Sequence, residues 1–154
     1  MKRIVLFSIY ILYLSCYGIP AQDNSVYTID YKDPSSVVNA IFYAAKSRNY
    51  SILSGLCDPQ GKNDKDTRWI CSIYYKSTQM EPMEVAETNI EMIKQFVRLF
   101  EKGFINGKIS FEKDEEGNEL SLVPIWINHP GGESRSNETM VLIKRESRWY
   151  LFSM

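Results

Sequence analysis

The hydrophobic period of this chain changes once, near Gly103, and that change limits what it can fold into. Before it, apolar residues recur at helical spacing: Val37, Ala40, Ile41, Ala44 and Ala45 in one segment, Ile90, Ile93, Val97 and Phe100 in another. After it they alternate, with Ile105, Gly107, Ile109 and Phe111 set against Asn106, Lys108, Ser110 and Glu112. Helical spacing gathers side chains on one stripe, and alternation gathers them on one face of a strand. Helices first and an antiparallel meander last is the α+β pattern, so the expectation is N-terminal helices packed on a sheet of about four strands.

Local chemistry places the elements. Asp33-Pro34 opens a helix, with a carboxylate cap followed by proline at the first helical position, and the helix should run to about Arg48. A second short piece turns Ile52, Leu53 and Leu56 inward and ends at Gly55 or Cys57. Asp58 to Asp66 is turn chemistry, and Asp64 or Asp66 caps a helix beginning at Thr67. For the next helix two starts compete: Pro82, or Thr88 with Glu91 completing a capping box. The shorter version is favoured, leaving Thr78 to Glu87 extended or irregular. One strand is expected from Ile105 to Glu112, then a turn at Asp114 to Asn118. A second strand follows from Leu120 to Asn128, with Pro124 at a bulge or an edge. A long loop from Asn128 to Asn137 leads to a final hairpin, Glu138 to Lys144 and Trp149 to Met154.

The first residues read as an export signal. Lys2 and Arg3 precede an apolar run from Ile4 to Leu14, and small or turn-forming residues follow at Ser15, Cys16, Gly18, Pro20 and Ala21. The run is short for a membrane span, which needs about 20 residues. Cleavage after Ala21 is favoured, leaving residues 22–154 as one α+β domain that starts with an arm or short strand. The competing site is Leu14-Ser15-Cys16, a lipoprotein box in which Cys16 carries lipid and supplies the sole membrane attachment. The expected destination is the periplasm, the medium or, with lipid, the outer membrane. Without Lys2 and Arg3 the chain has 16 basic against 19 acidic residues, a net charge of −3, which argues against nucleic acid as a partner. In an oxidising compartment Cys57 and Cys71 form an even pair and are expected to be a disulfide; the competing reading is two separate buried thiols.

The helix and short helical turn from Val37 to Leu56, and the closing Glu146-Ser147-Arg148-Trp149-Tyr150-Leu151-Phe152-Ser153, resemble the NTF2-like, cystatin-like superfamily of small exported bacterial proteins. That resemblance implies a curved sheet folded around a helix to form a cone that holds a ligand. Its enzymes place Asp, His or Tyr inside the cone, and no residue here aligns with those. The chain also departs from the family in placing all its helices before its clear strands.

Candidate chemistry is sparse. His129 is the one histidine, which excludes His-dependent triads and multi-histidine metal sites and leaves a lone acid-base candidate on a loop. Asp58, Asp64 and Asp66, with Asn63, offer oxygen ligands to calcium, although helix capping explains them more simply. Met80, Met83 and Met92 suit Cu(I) by softness but lie away from any histidine, so core packing is the simpler account. Glu115 and Glu116 read as a solvated turn tip. Asn49-Tyr50-Ser51 and Asn137-Glu138-Thr139 match the glycosylation acceptor pattern, which is frequent by chance. Trp126, Trp149 and Tyr150 are the candidate lining of a ligand groove, against the alternative of core residues. No cofactor is implied. The expected function is a non-enzymatic exported module for a small apolar ligand or a protein partner. Two alternatives stand beside it: a cone-fold lyase or isomerase, and an inhibitor or accessory protein acting through the loop from His129 to Asn137.

Overall fold

The structure, a computed structural model, describes residues 27–79, 81–129 and 135–154. The segment expected to be an export signal, with both expected cleavage sites and Cys16, lies outside the described residues, as do Met80 and residues 130–134 of the long loop. Helix α1 spans Pro34–Ser47, a short 3-10 helix spans Tyr50–Gly55, α2 spans Lys65–Thr78 and α3 spans Met83–Phe100. Five strands follow: β1 Phe104–Ile105, β2 Ser110–Lys113, β3 Glu119–Asn128, β4 Arg135–Arg145 and β5 Arg148–Ser153. The sheet is antiparallel and open, in the order β1-β3-β4-β5, with β2 also paired to β3.

Helix α1 begins where its cap predicts. Asp33 Oδ1 accepts the Ser35 N–H at 2.9 Å, and Arg48 ends the helix in the left-handed region at φ 61°. Val37, Val38, Ala40, Ile41, Ala44 and Ala45 are wholly buried. The three alanines bring the helix axis close to β1, β3 and β5, which it contacts. From the sheet, Val123, Ile125 and Ile127 of β3, Met140 and Leu142 of β4, and Leu151 of β5 belong to the same buried core. Burying each such aliphatic side chain contributes roughly 1.5–3 kcal/mol.

Helix α2 starts two residues before the expected Thr67, with Asp64 as its cap: the carboxylate accepts the Thr67 N–H at 2.8 Å. Helix α3 corrects the favoured start at Thr88. It opens at Met83, where the Pro82 carbonyl accepts from Val85 and Ala86, and the Thr88 hydroxyl bonds back to the Glu84 carbonyl instead of capping. Its inward line is also rotated from the expected one. Asn89, Phe96, Leu99 and Phe100 are buried, whereas Ile90 is 42% exposed. Asn89 turns inward because its amide donates to the Gln79 carbonyl at 2.6 Å, tying α3 to the end of α2. At Gly103 a Cβ would lie 2.4 Å from the Phe42 ring, so a residue without a side chain lets the chain pass under α1 into β1.

The single strand expected from Ile105 to Glu112 is two strands, which is why the sheet has five strands and not about four. Ile105 pairs with Ile125 and Ser110 with Leu122, so four residues on one side face two on the other. The cause lies on the partner strand. Pro124 has no N–H to give this side of the ladder, while its carbonyl accepts from Asn106, and Gly107 folds against its ring.

Cys57 and Cys71 are joined by a disulfide, with Cα atoms 6.2 Å apart. In the chain-entropy model a loop of this size gains about 3 kcal/mol from closure. The segment after Leu56 also runs along β5: Leu151 N–H donates to Leu56 O at 2.7 Å, Asp58 N–H to Leu151 O at 3.2 Å and Asp64 N–H to Phe152 O at 3.0 Å. The loop thereby covers an otherwise open sheet edge.

Candidate ligand cleft

Strand register sets the floor of a broad surface cleft. Lys113 pairs with Glu119, and Lys144 pairs with Trp149. One row further in, Phe111 pairs with Ser121, Ser121 with Leu142 and Leu142 with Leu151. These rows share the face that the helices cover, but α1 begins only at Pro34 and leaves their outer part open. The arm before α1, through Lys32, and the first residue of α1, Pro34, supply the facing wall. The arm is held there by the Trp149 N–H, which donates to the Tyr31 carbonyl at 2.8 Å, and by the Arg148 guanidinium, 4.0 Å over the Tyr31 ring. The cleft encloses about 510 Å³, within the usual range of roughly 300–1,000 Å³ for small-molecule sites.

Its apolar part is Phe111, Pro34 and Trp149. Trp149 is 4% exposed, whereas Phe111, whose ring centroid lies 5.9 Å away, is 64% exposed. Its charged border is Lys32, Lys113 and Lys144 with Glu112 and Glu119. Lys144 Nζ lies 2.6 Å from Glu119 Oε2 and 5.4 Å from the centre of the Trp149 ring. The hydrogen bond from Lys144, and then its charge, hold the Glu119 carboxyl below its ordinary range. Ser121 Oγ, buried on the same face, makes no hydrogen bond among the described residues.

The residues singled out from sequence are placed as follows. Of Trp126, Trp149 and Tyr150, only Trp149 borders the cleft. Trp126 is on the opposite face of the sheet, stacked on Phe104 at 5.4 Å, and Tyr150 lies against Tyr31 at 6.2 Å. The aspartates that could have offered ligands to calcium are not brought together. Asp58 is wholly buried and receives two bonds from Arg145, Nε to Oδ1 at 3.1 Å and Nη2 to Oδ2 at 3.0 Å. Arg145 Nη1 donates to Asn118 Oδ1 at 3.0 Å. Burial alone would raise the Asp58 carboxyl, but the bonds from Arg145 and the Gln60 backbone outweigh it and hold it below its ordinary value. Asp64 behaves alike: burial is outweighed by the Thr67 hydroxyl, the Thr67 N–H and the Met154 N–H. Asp66 is exposed in the first turn of α2, and no group of three or more metal-binding side chains forms among the described residues. His129 Nε2 lies 3.3 Å from Glu138 Oε1, both partly exposed, and neither borders the cleft. Met83 is 74% exposed on α3, and Met92 packs partly against the core.

Phe111, Lys32, Lys113 and Lys144 are cleft residues that sequence reasoning did not single out. Alternation marks Phe111 as an inward residue, but nothing local says that the helix above it stops short. No family model, curated protein or solved structure matches this chain.

Proposed function

We propose that this protein is an exported binding module that takes the apolar body of a small ligand into the cleft between the start of α1 and the outer rows of the sheet. The observation that carries this is the pairing of an open aromatic ring, Phe111, with the nearly covered ring of Trp149 across that cleft. Covering a large apolar side chain gains roughly 1.5–3 kcal/mol, so a ligand lying on Phe111 recovers what folding leaves unused. Export rests on the basic-apolar-small order of residues 1–21 and agrees with the Cys57–Cys71 disulfide, which persists in oxidising compartments. Among the described residues no helix is long and apolar enough to cross a membrane. The binding reading is preferred over a catalytic one because Asp58, the buried carboxylate, is bound to Arg145, and Glu119, the carboxylate beside Trp149, is held ionised and weakly basic. The NTF2-like, cystatin-like resemblance is part of the same proposal and rests on the helix and short helical turn from Val37 to Leu56 and on the closing stretch from Glu146 to Ser153.

Titration of the ¹⁵N-labelled protein with 2-naphthamide, a neutral two-ring probe, tests the site. Shifts grouped on Lys32, Phe111, Lys113 and the Trp149 indole are expected. No shift, or shifts centred on Phe104 and Trp126, would remove the cleft from consideration. Intact mass of protein recovered from the envelope and the medium separates cleavage after Ala21 from lipid on Cys16, and an uncleaved chain in the cytosol would count against export.

A further inference from the structure

The charges around the cleft narrow the ligand further. Lys32, Lys113 and Lys144 border the cleft; Glu119 shares the face of Lys113 and Lys144, while Glu112, which alternates with Phe111 along β2, belongs to the opposite face. Lys144 is already committed to Glu119 and the Trp149 ring. Lys32 has no carboxylate partner among the described residues, and Lys113 acts on Glu119 only through its field. These two ammonium groups belong to facing walls, Lys32 on the arm and Lys113 at the end of β2. Each is a point charge on a flexible stem, able to swing onto one oxygen of a bound anion without the fixed fork of an arginine.

We propose that the ligand is a flat aromatic acid with a single negative charge. Its ring body lies on Phe111, Pro34 and Trp149, and its carboxylate meets Lys32 and Lys113 at the mouth. A carboxylate offers one oxygen to each of the two lysines and brings no second negative charge beside Glu119, so it suits the border better than a phosphate. This rests on the cleft reading above, and the test separates the two.

Affinities for three probes with one ring system, 2-naphthoate, 2-naphthamide and 2-naphthyl phosphate, are measured by the same titration. Naphthoate is expected to bind about fivefold tighter than the amide at low salt, the sum of two exposed ion pairs. The advantage should vanish at about 1 M salt, where screening acts within about 3 Å. Lys32→Gln and Lys113→Gln should each reduce the ratio of naphthoate to amide affinity. Equal binding of naphthoate and amide, both in the cleft, overturns the acid preference and leaves the cleft reading intact. Tighter binding of the phosphate overturns the choice of a monoanion. If no probe shifts the cleft residues, the cleft reading and this inference fall together.

Discussion

Lys144 and Arg145 are neighbours on β4, point to opposite sides of the sheet, and have different fates. The Arg145 side chain is 11% exposed and is bound to a fully buried Asp58 and to Asn118. The Lys144 side chain is 34% exposed, shares Glu119, and stands in a border where two further lysines lack a close carboxylate. Around Arg145 the chain supplies partners for the charge from the disulfide loop and from the β2–β3 turn. Around Lys144 it stops short, because α1 begins at Pro34 and only a short arm precedes it. A charge that the fold satisfies holds the fold together; charges that it leaves open are available to a ligand.

The sharpest way to break this comparison is Asp58→Asn. It leaves Arg145 buried without its counter-charge, and removing one partner of a buried pair costs about 3–5 kcal/mol. Lys144→Gln, by contrast, should cost below about 1 kcal/mol, as exposed pairs do. Urea unfolding of both variants reads the difference directly, and equal losses would mean that the two sites do not differ in kind. Next in size, replacing Cys57 and Cys71 together by alanine should cost about 2–4 kcal/mol. The loop bonds to β5 should keep Asp58 on Arg145, so probe affinity at the cleft should stay unchanged; a matching loss of affinity would show that the two regions are coupled.

Acid separates the regions by a third route. Asp58 and Asp64 have folded-state values below the ordinary aspartate value near 3.8. Groups shifted this way contribute stability that is present above the unfolded value and is lost as pH falls through the folded one. Stability should therefore decline below about pH 4 by this linkage, and Asp58→Asn should flatten the decline. An undiminished slope in that variant would remove Asp58 from the account. The smallest effect on stability is expected from Phe111→Ala. Its exposed ring should change unfolding by under about 0.5 kcal/mol. It should still weaken 2-naphthamide binding about fivefold, since about 1 kcal/mol of ring contact is lost. The reverse pattern would make Phe111 a core residue and close the site.

Where structure depends on near neighbours, the sequence was a sufficient guide. Asp33 and Pro34 start α1, and Arg48 ends it, because a cap, a fixed φ and a left-handed residue act within one turn. The Cys57–Cys71 pairing was legible once the first 21 residues were read as an export signal, which leaves an even count of cysteines. Asp64 was legible as one of two caps, the choice being made by its reach to the Thr67 N–H. The Thr88 capping box failed because the Pro82 carbonyl already starts a longer helix, and two good local signals do not rank themselves.

The α+β class was thus determined by sequence alone, through one change of hydrophobic period at Gly103. Tertiary structure decided the break between β1 and β2, because the proline that forces it sits on β3. It also decided that Asp58 belongs to Arg145, its partner across a sequence separation of 87. Above all it decided the cleft. Alternation tells which side of a strand faces the helices, but how far along the strands a helix extends depends on where α1 begins over the sheet, and no single segment carries that distance.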